Sequence, residues 1–254
     1  MRLLLSLLTC LFSLLATETP TKDKPAKAEP VKTEENLSLP VYKLSEEALK
    51  IRTEARDSFK AILSKKKKAR VAVIPLRSAV DESLHYFLSR AFEKAKEEKI
   101  DAIIIDMDTP GGRIDITEKI VDLYEGFDGP VYTFINHRAQ SAGAMLSFGS
   151  DMIFMSPSAR IGSAMPILVT GGSVQETKGD YHEKILSDTR TLGRSLAQRK
   201  GYPEDLIAAM IDNDLIVKRG ETTISAKDQL LNLSAKEAIK RYDGEPLLAY
   251  AMVK

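Results

Sequence analysis

The sequence predicts an α/β domain built from repeated strand–helix units around a largely parallel sheet, and three patterns carry that prediction. Short apolar runs of strand length recur at residues 71–76, 100–107, 131–135 and 152–155. Amphipathic segments with apolar residues every three or four positions alternate with those runs, as a parallel sheet with crossover helices requires. Tight breaks rich in glycine, proline and small residues follow the second and third runs. Beyond this loose strand–helix repetition there is no internal repeat.

Residues 1–16, MRLLLSLLTCLFSLLA, combine a basic start, an apolar run and a closing small residue. That is the pattern of a secretory signal peptide, or of a short membrane anchor if it stays uncleaved. Either reading exports the protein, to a periplasmic or extracytoplasmic location, free or membrane-tethered through its N-terminus. Cys10, the single cysteine, ends a lipoprotein-like tetrad, but the apolar run continues past it. Residues 17–43 alternate Thr, Pro, Lys and Glu with almost no large apolar side chain, and read as a disordered linker. Residues 44–68 read as an amphipathic helix with a basic end. Ser45 caps it, Glu46 and Glu47 occupy its first turn, and Ala48, Ile51, Ala55, Phe59 and Ile62 share one face. That face packs on its own domain, or meets a second subunit or an anionic membrane surface.

Residues 69–254 form the remaining domain. Its first strand contains Pro75, which suggests that the chain leaves the sheet there. Asp81 then caps a helix with Leu84, Phe87, Leu88, Ala91 and Ala95 on one face. After the second strand, a helix carries Ile116, Ile120, Leu123 and Phe127 and ends by Pro130. Residues 167–179 are rich in glycine, threonine and serine and read as a mobile loop. A helix from about Tyr181 carries Ile185, Leu192 and Leu196; another follows Pro203. Ser234 and Glu237 make a capping box for a last helix, expected to run to about Tyr242.

The chemistry concentrates in residues 101–167. The second strand breaks at Asp108-Thr109-Pro110-Gly111-Gly112, and the third is followed by Gln140-Ser141-Ala142-Gly143-Ala144. A serine on a strand-to-helix turn among small residues exposes its hydroxyl beside a backbone amide. A small-residue turn for close helix packing gives the same pattern. Two such turns at one edge of a parallel sheet can aim two amides at one point, where they would stabilise an oxyanion. Gly112 and Ala142 are the amides best placed for that, although Gly111 and Gly112 also read as plain turn glycines.

These turns, followed by Met155-Ser-Pro-Ser-Ala-Arg-Ile161-Gly162-Ser-Ala-Met-Pro166-Ile167, resemble the NfeD-type serine proteases over roughly residues 70–242. The resemblance implies the Clp-protease/crotonase fold and a Ser–Lys dyad. It assigns Ser141 as nucleophile. Counting back from Ser195-Leu196-Ala197-Gln198, it assigns Lys184 as base. The intervening loop is about two residues longer than is usual in the family, which keeps Lys178 as a fallback base. His182 is a further fallback, since a Clp-type Ser-His-Asp triad also places histidine after serine. His85 matches no family position, and His137 immediately precedes the serine turn. The resemblance further implies apolar peptide or membrane-protein substrates and a homo-oligomer, dimeric or larger. Larger members continue into membrane helices and a small β-barrel, whereas this sequence ends in a tail too short to span.

Composition narrows the alternatives. A formal net charge of +1 gives no nucleic-acid footprint. Neither His-x-x-x-His nor paired cysteines occur, so no metal is expected, and the dyad needs no cofactor. A crotonase-like acyl-CoA enzyme would share the fold but needs acid/base carboxylates and sits poorly with export. A catalytically silent scaffold would keep the fold without the chemistry.

Overall fold

The apolar runs marked as strands hydrogen-bond side by side. The computed structural model describes residues 43–64, 69–170, 173–175 and 179–253. The signal or anchor segment, nearly all of the linker, the basic run 65–68 and Lys178 lie outside the described residues. In chain order the elements are α1 (Glu46–Ser64), β1 (Val71–Leu76), α2 (Glu82–Glu97), β2 (Ala102–Thr109), α3 (Ile114–Glu125), β3 (Val131–Gln140) and α4 (Ala142–Phe148). β4 (Met152–Met155), β5 (Arg160–Gly162), β6 (Leu168–Thr170), β7 (Ser173–Gln175), α5 (Asp180–Lys200) and α6 (Glu204–Ile211) follow. The chain then runs through β8 (Val217–Arg219), β9 (Thr222–Ser225), β10 (Asn232–Ser234), α7 (Ala235–Ala238), β11 (Arg241–Tyr242), β12 (Glu245–Pro246) and β13 (Ala251–Met252).

The main sheet has the order β1-β2-β3-β4-β13, all parallel. β3 is longer than the apolar run 131–135 suggests because it changes partner midway. Tyr132 to Ile135 pair with β4, and Arg138 to Gln140 pair with β5, which β10 flanks antiparallel. The period-two alternation of the strands sends Ile103, Ile105, Met107 and Ile135 into the main core with α2, α3 and α4. The opposite face presents Ala102, Tyr132 and Met152, which α1 covers with Ala55, Phe59 and Ile62. Phe59 sits edge-on to Tyr132 at 5.4 Å and against Phe154 at 5.3 Å. α1 is also pinned by charge, since Arg52 and Arg56 both reach Glu245.

β1 ends at Leu76, one residue past Pro75, as the sequence suggests, and it is an edge strand of the sheet. Several other local expectations are corrected. Phe87 is exposed, and Phe92 takes the core place, because the buried stripe of α2 runs Leu84, Leu88, Phe92, Ala95. Residues 168–175 contain an antiparallel pair, β6 with β7, where a loop was expected. The capping box at Ser234 and Glu237 is present, yet α7 stops at Ala238. The carbonyl of Ala238 there accepts the amides of Leu248 and Ala249, so the returning chain replaces the next helical turn. Among the described residues no helix is long and apolar enough to cross a membrane.

Candidate active site

Because β2 and β3 are parallel neighbours, the turns that follow them lie at the same edge of the sheet. Ser141 links β3 to α4 with φ 54° and ψ −121°, a backbone conformation an L-residue adopts only under constraint. The constraint is visible. The Ser141 N–H donates to the Gly162 carbonyl at 3.1 Å, and the Ser141 carbonyl accepts from the Ala144 N–H at 2.9 Å.

Gly111 packs directly on the serine. It has φ +103°, and a Cβ there would lie 2.4 Å from the Ser141 Cβ and 3.0 Å from its Oγ. The turn is fastened from behind by buried Thr109, whose Oγ1 accepts from the Gly111 N–H at 3.1 Å and donates to the Ser78 carbonyl at 2.6 Å. Val80 completes the fastening. Its N–H donates to the Gly111 carbonyl and its carbonyl accepts from the Arg113 N–H, both at 2.9 Å. In this bridge Val80 bonds the residues flanking Gly112 and leaves the Gly112 N–H unused. Ala142 opens α4, and first-turn amides have no intrahelical acceptor. Among the described residues, neither the Gly112 nor the Ala142 N–H has a hydrogen-bond acceptor.

Ser141, Gly112 and Ala142 line one cleft of about 1130 Å³. Its walls are apolar: Val80, Ile114, Met145, Met165, Ile167 and Leu230. The volume exceeds that usual for a small ligand and suits a length of peptide. Asp81, Asp115, Glu118 and Asp188 lie around it. Arg113 binds Asp115 through two hydrogen bonds of 3.0 and 2.6 Å, which hold the Asp115 carboxyl below the usual carboxylate range.

The base candidates are placed differently. α5 lines the cleft with Ile185, Asp188 and Thr189, at the spacing of one helix face. Lys184 precedes that face by one residue and is exposed; it does not line the cleft. His182 is half-buried in the first turn and also lies off the cleft. Nδ1 of His137 lies 3.5 Å from Asp108, and His85 contacts Ser89 within α2; neither lines the cleft. The structure therefore brings Ser141, Gly112 and Ala142 together and leaves Lys184 outside the cleft lining. Sequence reasoning missed Gly111 as the residue packed on the nucleophile. The doubled glycine was the available signal, since a turn alone needs only one.

Residues 70–246 match the model of the family described as NfeD1b, N-terminal domain. Membrane protein NfeD1b of Bacillus subtilis (strain 168) is 30% identical over 177 residues, covering 70% of this chain and 38% of that protein. Membrane-bound protease PH1510 of Pyrococcus horikoshii is 28% identical over 179 residues, covering 68% of this chain and 40% of that protein. The match thus spans about two fifths of the length of these relatives. Two solved structures of the 1510-N membrane-bound stomatin-specific protease share the fold at 26% identity. One is a serine-to-alanine mutant, with TM-score 0.58 over 73% of this chain and 80% of that one. The other is a lysine-to-alanine mutant in complex with a substrate peptide, with TM-score 0.59 over 74% and 76%. The α/β fold is accordingly that of the Clp-protease-like 1510-N domain.

Proposed function

This chain belongs to the NfeD1b N-terminal domain family, and from that premise we propose that it is a serine endopeptidase of the Ser–Lys type. The observation that carries the reading is the constrained Ser141, pressed on Gly111 with the free amides of Gly112 and Ala142 in the same apolar cleft. In the proposed reaction Ser141 Oγ attacks a peptide carbonyl while its proton passes to the neutral amine of Lys184. The carbonyl oxygen becomes an oxyanion held by the Gly112 and Ala142 N–H groups. Collapse of the adduct transfers the proton from Lys184 to the leaving amine and leaves an acyl-serine, which water then hydrolyses with Lys184 again as base. Lys184 lies one turn before Asp188 on the same side of α5, and its engagement requires its exposed side chain to swing toward the cleft. Apolar walls favour apolar peptide segments, in keeping with relatives that are membrane proteins and one described as stomatin-specific. Export through residues 1–16 and assembly into at least a dimer complete the proposal.

The test uses a fluorophosphonate probe, which reports the reactivity of the serine, together with hydrolysis of apolar peptides. Ser141→Ala is expected to lose both signals with the fold intact. Lys184→Ala should lose nearly as much, and Lys184→Arg should not restore it, because arginine keeps its proton. Lys178→Ala and His182→Ala should retain most activity. An inactive His182→Ala beside an active Lys184→Ala would replace the dyad with a Clp-type triad. A wild type that neither labels nor cleaves would leave the silent scaffold as the reading.

A further inference from the structure

We propose that Asn232 and Ser163 form a positioning pair that holds Ser141 in its reactive geometry; the inference rests on the peptidase reading above. The Ser141 N–H is bonded to the Gly162 carbonyl, so the place of that carbonyl fixes the backbone of the nucleophile. The next residue, Ser163, is itself a non-glycine residue at positive φ, 49°, and it lines the cleft. Two serines in disfavoured backbone conformations thus stand one hydrogen bond apart, and such conformations persist only where surrounding contacts over-determine them.

Those contacts come from a segment about seventy residues downstream of Ser163, in and beside β10. Asn232 pairs with Gly162 across β5 and β10, and the Ser163 N–H donates to the Leu231 carbonyl at 3.1 Å. The Asn232 side chain adds the one contact that backbone pairing does not supply, donating from Nδ2 to Ser163 Oγ at 2.6 Å. Asn232 is exposed, and an exposed hydrogen bond of this kind contributes little to global stability. Its effect is local: it ties the Ser163 side chain to β10, and with it the peptide unit whose carbonyl receives the nucleophile's amide. Neither residue touches the reacting atoms in this scheme. They act through Gly162.

Stability and reactivity therefore separate experimentally. Asn232→Ala, and Ser163→Gly, which accepts positive φ without strain, are each expected to slow fluorophosphonate labelling and kcat about tenfold. KM should stay at its wild-type value, and the melting temperature should not fall in either variant. The double variant should be no slower than either single one, since both remove the same contact. Asn232→Asp should recover most of the rate, because its carboxylate can accept from the Ser163 hydroxyl. Wild-type labelling in Asn232→Ala, additive losses in the double variant, no recovery in Asn232→Asp, or a rate loss matched by a fall in melting temperature would each overturn the pairing while leaving the peptidase reading intact. A wild-type protein that does not label would overturn both.

Discussion

Replacing Gly111 by alanine tests whether Ser141 owes its geometry to the turn pressed on it. The new methyl would sit 2.4 Å from the Ser141 Cβ and 2.8 Å from the Gln140 carbonyl oxygen. Ordinary carbon–carbon contact is about 3.5–4.0 Å, so the two turns must separate by about 1 Å or more. Overpacking of this kind costs about 1–3 kcal/mol, and alanine at positive φ adds about 1 kcal/mol. We therefore expect a loss of about 2–4 kcal/mol in urea unfolding. A displacement of about 1 Å at a reacting atom costs on the order of a hundredfold in rate, which the fluorophosphonate labelling rate of Ser141 reads directly. Gly220→Ala is the control: φ there is +58° and nothing lies within 4 Å of a new Cβ. It should lose about 1 kcal/mol and no reactivity. If Gly111→Ala labels within about threefold of wild type, close packing does not set the nucleophile and the reasoning fails.

Two further outcomes concern the rest of the fold. Glu245→Gln leaves Arg52, 8% exposed, without its carboxylate; urea unfolding should show a loss of about 3 kcal/mol, and a loss below about 1 kcal/mol would refute the coupling of α1 to the β11–β12 hairpin. Tyr124, Tyr132 and Tyr202 are buried, and burial raises all three pKa values, that of Tyr132 to about 12. A folded pKa above the unfolded one means that this stability is present below pH about 10 and is lost as pH rises through the folded values. Ultraviolet titration should therefore show these three of the eight tyrosines ionising only with alkaline unfolding. Titration of all eight near pH 10 in a folded protein would contradict it.

Much of the frame is written locally and could be read from the chain. Asp81 caps α2, and Ser234 with Glu237 makes a capping box, because these bonds join residues three apart. The runs leading to residues 110–112 and to Ser141 identify both turns, since apolar stretches of that length ending in small residues have few alternatives. What the sequence left undecided depends on partners distant along the chain. Phe92 rather than Phe87 enters the core because β1 and α3 define where the face of α2 must point. α7 ends at Ala238 because the amides of Leu248 and Ala249 occupy the Ala238 carbonyl. The same division runs through the site. The turn pattern together with the family resemblance points to Ser141, Gly112 and Ala142, and parallel pairing of β2 with β3 brings the three to one cleft. Whether Lys184 or Ile185 faces the cleft depends on the rotation of α5 about its own axis, and that rotation is set by tertiary packing of Leu186, Thr189, Leu196 and Ala197. A helix has the same local hydrogen bonds at every rotation, so only the surfaces it packs against can decide which side chain it presents.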